Sequence, residues 1–235
     1  MSLDPSPLSH DTDPMTALPI DPILPDLVAA LRAHGRAVLQ APPGAGKTTR
    51  VPLAMLKAND VQGRIIMIEP RRLATRAAAE RLAQTLNEPV GQSVGYRMRG
   101  DTCVSASTRI EVVTDGILTR MLQSDPDLKG IGAIIFDEFH ERSLNADLAL
   151  ALAWEIRAVL RPDLQILVMS ATLDAAPVAQ MLDDAPILTS QGRAYPVTTQ
   201  YLPKRSPRPC GWNTPLAVFW CSCPARVKSA GSRPR

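Results

Sequence analysis

The chain is poor in aromatic residues: three Phe, three Tyr and three Trp make up 4% of 235 residues. A core built without rings must be aliphatic, which suits strands of Val, Ile and Leu covered by Ala- and Leu-rich helices. Uninterrupted apolar runs of the ~20 residues needed to span a bilayer are missing, and the N-terminus lacks a basic-then-apolar signal. Both point to a soluble, cytoplasmic protein without a membrane partner. Cysteine is scarce and badly placed for a disulfide framework: Cys103 stands alone, while Cys210, Cys221 and Cys223 sit near the C-terminus. Those three lack paired spacing and a fourth ligand, so a zinc site is the weaker reading.

Acidic residues are absent from the last 35 positions, which hold seven of the basic ones. Residues 1–200 carry 19 Lys and Arg against all 23 Asp and Glu, a surplus of four acids. The basic pI of 8.8 is therefore a property of the tail, and is no evidence that the folded part binds nucleic acid. Three segments are expected: a disordered leader over 1–17, a folded domain over 18–203, and a basic tail rich in Pro, Arg, Ser and Cys over 204–235. The tail has the composition that GC-rich codons give in a wrong reading frame. A frameshift near residues 202–206 and a genuine nucleic-acid-binding extension both remain open.

What is abundant is alternation. Short apolar runs (Val38-Leu39, Ile65 to Ile68, Ile110 to Val113, Ala133 to Phe136, Ile166 to Met169) read as buried strands. Between them Arg50 to Ala58, Leu73 to Leu86, Gly116 to Leu122 and Asn145 to Leu160 have helical spacing, as does Asp21 to Ala33 ahead of them, broken early by Pro22 and Pro25. Asn145 and Asp174 are expected to cap helices. Strand and helix in repetition predict an α/β fold: a mostly parallel sheet flanked by helices, with right-handed crossovers. Ligands of such sheets sit beyond the carboxyl ends of the strands.

The polar motifs fall there. After Val38-Leu39 comes Ala41-Pro42-Pro43-Gly44-Ala45-Gly46-Lys47-Thr48-Thr49, a phosphate-binding loop whose usual first Gly is Ala41. Backbone amides and a helix N-terminus would face one anion, Lys47 would reach the β- and γ-phosphates, and Thr48 would ligate Mg²⁺. Asp137-Glu138-Phe139-His140 follows another strand; Asp137 is placed to hold Mg²⁺ and Glu138 to orient or deprotonate water. Ser170-Ala171-Thr172, Pro70-Arg71-Arg72 and Thr114-Asp115-Gly116 end three further strands. Arg71 and Arg72 are either phosphate ligands for a polynucleotide or exposed helix-start charges.

Taken in order, Gly44 to Thr48, Pro70 to Arg72, Thr114 to Gly116, Asp137 to His140 and Ser170 to Thr172 resemble motifs I, Ia, Ib, II and III of the DEAH-box superfamily 2 helicases. The wider strings Ala41 to Leu53 and Asp137 to Ser143 are most similar to a bacterial branch in which Phe139 stands for the Ala that names the box. The resemblance covers roughly residues 18–203. It implies the first of two RecA-like P-loop NTPase domains, with ATP and Mg²⁺ as cofactors and single-stranded nucleic acid, RNA ahead of DNA, as partner. By the same resemblance Gly44, Ala45, Gly46, Lys47, Thr48 and Thr49 hold the nucleotide, and Arg81 stacks on its adenine. Arg71, Arg72, Thr114, Asp115 and Gly116 meet the strand, while His140, Ser170 and Thr172 couple nucleotide state to strand movement. Nothing after Thr172 resembles the arginine-finger motif of a second domain, so the chain is expected to stop short of it. Another P-loop enzyme and a non-catalytic nucleotide-binding fragment are the competing readings, and oligomeric state stays open.

Overall fold

A computed structural model describes residues 17–171 and 175–191. They belong to one compact unit, Met1–Ala194. The leader up to residue 16, the tail, its cysteines, Thr172 and the expected cap Asp174 lie outside the described residues.

Among the described residues, eight strands form one sheet. In chain order they are β1 (Arg36–Gln40), β2 (Arg64–Ile68), β3 (Val94–Met98), β4 (Asp101–Cys103), β5 (Ile110–Val113), β6 (Ile131–Phe136), β7 (Gln165–Ser170) and β8 (Ile187–Thr189), laid side by side as β4-β3-β5-β2-β6-β7-β1-β8. Every pairing is parallel except β3 with β4 at one edge. The described helices are α1 (Leu24–His34), α2 (Lys47–Ala58), α3 (Arg72–Thr85), α4 (Asp115–Ser124), α5 (Leu144–Val159) and α6 (Ala175–Met181).

The two faces of the sheet carry separate cores. Ile65 and Met67 of β2, with Ala133 and Ile135 of β6, pack beneath Leu27, Val51, Met55, Ala79 and Leu82 of α1, α2 and α3. Their alternating neighbours Ile66, Ile68, Ile134 and Phe136 pack beneath Leu118, Leu122, Leu150, Ala153 and Val178 of α4, α5 and α6. A strand covered on both sides has no solvent face, which is why all six residues of β6 are buried and its sequence reads as one apolar run.

The five expected strands and the helices between them are present, with ends shifted by up to three residues. Three strands are additional. β3 and β4 carry Gly95, Arg97, Asp101 and Thr102, and β8 is only three residues long, so none presents an apolar run. The first helical segment is broken early, as its prolines predict: Pro22 lies in a 3₁₀ turn (Asp21–Ile23) and Pro25 is the second residue of α1, in the first turn where its missing N–H costs nothing. One cap needs correction. Ser143, not Asn145, caps α5: its Oγ accepts from the Ala146 amide at 3.0 Å, and Asn145 is already inside the helix.

Candidate active site

Because β1, β2, β5, β6 and β7 run in the same direction, their carboxyl ends share one rim. The loop after β1 starts with the Ala41 amide donating to the Ser170 carbonyl at 2.9 Å, which ties it to the end of β7. The main chain passes through Gly44 at φ 79° and Gly46 at φ 95°, left-handed values that glycine adopts without strain. At Gly46 a Cβ would also lie 2.5 Å from Leu18 Cδ1. Lys47 is thus the first residue of α2, at its positive end, and is only 4% exposed.

Lys47 Nζ donates to Glu138 Oε1 at 2.7 Å, and Thr48 Oγ1 donates to Asp137 Oδ2 at 2.6 Å. The first two residues of α2 thereby meet the two residues that follow β6, across the width of β7 in the sheet order. Asp137 is buried, and its other oxygen accepts the Glu138 amide at 2.8 Å. Burial raises its pKa; the Lys47 charge and the Thr48 hydrogen bond pull the other way. Glu138 has a left-handed backbone (φ 49°) and leads into a 3₁₀ turn, Phe139–Glu141, that closes at Arg142 (φ 50°). His140 Nδ1 lies 3.2 Å from Glu138 Oε2, without hydrogen-bond alignment. Phe139, where the box usually has Ala, is buried edge-on against Phe136, with the Arg142 guanidinium 5.5 Å from its ring centroid.

A third acid belongs to this cluster and carries no motif. Glu69 follows β2 directly and is 4% exposed; burial first, then the neighbouring Asp137 carboxyl, push its pKa up to about 9. Glu69 is therefore protonated at neutral pH and can donate a hydrogen bond to Asp137. Its position at a strand end beside Pro70 was the available signal, but one acid inside an apolar context has no spacing to read.

Ser170 ends β7, buried at the same rim. Arg71 is exposed and its Nη2 donates to Glu141, on the 3₁₀ turn; Arg72 Nη2 donates to the Arg99 carbonyl at 3.1 Å. Thr114 precedes α4 in extended conformation, and Asp115 opens it. The Asp115 carboxylate is engaged within the fold: Oδ1 accepts the Gly116 amide and Oδ2 accepts Ser143 Oγ, both at 2.8 Å. Arg81 stands apart, about 14 Å along α3 from Arg72. It is exposed on an open cleft with Glu80, Gln84, Glu88 and Pro89. Among the described residues no cluster of three or more His, Cys, Asp or Glu is arranged to hold a metal by itself.

A mostly parallel sheet, a glycine loop that opens a helix on a buried lysine, and an Asp-Glu pair facing it from the end of β6, with β7 between, define a RecA-like α/β domain. Comparison with known proteins narrows this. The chain belongs to the DEAD/DEAH box helicase family, whose profile matches residues 23–181. It is 54% identical over 189 residues to the ATP-dependent RNA helicase HrpB of Escherichia coli (strain K12), covering 80% of this chain and 23% of that protein. With the ATP-dependent RNA helicase HrpA of the same organism the identity is 38% over 187 residues, covering 79% and 14%. A crystal structure of the E. coli DEAH/RHA helicase HrpB superposes with a TM-score of 0.74 at 54% identity, over 79% of this chain and 24% of that one. The chain thus spans about a quarter or less of the length of these relatives.

Proposed function

We propose that this chain is the ATP-binding domain of a nucleic-acid-dependent ATPase, the first RecA-like domain of an ATP-dependent RNA helicase of DEAH type. The observation that carries the reading is the double meeting of Lys47 with Glu138 and Thr48 with Asp137 at 2.7 and 2.6 Å. A hydroxyl and a carboxylate in contact are the hard oxygen donors that Mg²⁺ takes beside phosphate oxygens and water. Thr48 and Asp137 would hold that ion, which when bound neutralises charge on the phosphates. Lys47 exchanges Glu138 for the β- and γ-phosphates. Glu138, released from its cation, turns to the attacking water as base or orienting group, with His140 beside it. The amides of residues 44–49 and the start of α2 bind the remaining phosphate oxygens.

Arg71, Arg72 and the Thr114–Gly116 segment are assigned to a single-stranded RNA backbone, Arg81 to the adenine, and His140, Ser170 and Thr172 to coupling. The domain is taken as residues 18–203, between a leader and a basic tail, and the setting as cytoplasmic. Calorimetry of MgATP binding tests the reading. Wild type should bind, and Lys47→Ala should lose most of the affinity, because backbone dipoles alone would face a polyanion. Equal affinity in the two proteins would remove Lys47 from the site and the reading with it.

A further inference from the structure

The two segments assigned to the strand each reach the short connection between β6 and α5. Arg71, at the start of α3, is paired with Glu141, the last residue of the 3₁₀ turn Phe139–Glu141. Asp115, at the start of α4, accepts Ser143 Oγ two residues further on. The turn begins at Glu138, and the Glu141 amide donates to the Glu138 carbonyl at 2.9 Å. The acid facing Lys47 is therefore one backbone hydrogen bond away from the residue that holds Arg71.

The Arg71–Glu141 pair is built to be broken. The Arg71 side chain is 71% exposed and that of Glu141 29%. Exposed ion pairs contribute little, because water and salt screen them and two long side chains must be ordered. A phosphate diester offers the same guanidinium two oxygens in the geometry it prefers. Arg72 is held differently, by a neutral backbone carbonyl, and among the described residues no carboxylate pairs with it.

We propose that Glu141 is an internal competitor for Arg71, displaced when a strand phosphate binds, and that this exchange links strand occupancy to Glu138. The inference rests on Arg71 being a strand contact. Fluorescence anisotropy with labelled single-stranded oligouridylate and the full 235-residue chain separates the two ideas. Glu141→Gln should tighten binding roughly two- to five-fold, the range that an exposed pair can withhold. In an Arg71→Ala background the same change should do nothing. A gain of equal size there would mean that Glu141 merely repels the polyanion, and an unchanged affinity in Glu141→Gln alone would mean that it does not compete; either overturns the proposal. Linkage gives the second readout. Oligouridylate should change the affinity for a non-hydrolysable ATP analogue in wild type, by a factor that shrinks toward one in Glu141→Gln; equal factors overturn the link to Glu138. A wild type that fails to bind the RNA, or an Arg71→Ala variant that binds equally well, refutes the strand-contact assignment itself.

Discussion

Glu69→Gln should stabilise the domain, and by more the higher the pH. The Glu69 carboxyl has an ordinary pKa of 4.5, pushed up to about 9 in the fold by burial and by the Asp137 carboxyl. A folded pKa above the unfolded one means that the native state holds a proton which the unfolded chain releases. The stability tied to that proton is fully present below about pH 4.5 and is lost as pH rises toward about 9, at about 1.4 kcal/mol per pH unit in between. From about pH 5.5 to about pH 7.5 the wild-type domain should therefore lose on the order of 3 kcal/mol through this one group, a large part of the ~5–15 kcal/mol of a typical domain. Glutamine keeps the shape and can still donate to Asp137, but has no proton to lose. Asp137 is raised in the same direction and interacts with Glu69, so the difference between the two proteins reports the proton that the pair holds through Glu69. Urea denaturation in the presence of chelator and without nucleotide, at three pH values and constant ionic strength, measures it. Stability curves that stay parallel for wild type and variant would refute the reasoning, and would mean that Glu69 is already ionised or hydrated in the fold.

Glu138→Gln should retain MgATP binding by calorimetry while losing residual hydrolysis, since the amide preserves shape and removes the base; equal turnover would leave Glu138 a structural acid. Ser143→Ala should lower stability by about 1 kcal/mol through loss of the α5 cap, and the loss of its bond to Asp115 adds to this. Thermal unfolding checks it, and an unchanged midpoint would mean that water replaces the cap. The 235-residue chain assayed alone should hydrolyse ATP very slowly, with or without single-stranded RNA, because arginine fingers contribute about 10³–10⁵ in rate and no segment of it resembles that motif. Robust RNA-stimulated turnover would show that the chain, or a second copy of it, supplies the missing groups.

Burial on both faces writes itself into sequence as apolar runs, so the central strands β2, β5, β6 and β7 and the helices between them were legible from spacing. The glycine loop was legible too, because its chemistry is contained in consecutive residues: glycines for the left-handed turn, then Lys47 and Thr48 at the start of a helix. The edge strand β4 and its neighbour β3 were not. They keep Gly95, Arg97, Asp101 and Thr102 in place of an apolar run, so pairing with neighbours decides their conformation where propensity does not. Nor could local patterns choose the cap of α5, since Ser143 and Asn145 are both good capping residues and the path of the chain out of the 3₁₀ turn selects between them.

The site divides the same way. Residue types were evident, but Lys47 and Glu138 are 91 residues apart in the chain and Arg71 and Glu141 are 70 apart. Their distances follow from strand order in the sheet, and no periodicity encodes strand order. Glu69 is the clearest case. As sequence it is one acid between an isoleucine and a proline. Only the fold places it in a dry corner beside Asp137, where the low dielectric makes the neutral form the stable one.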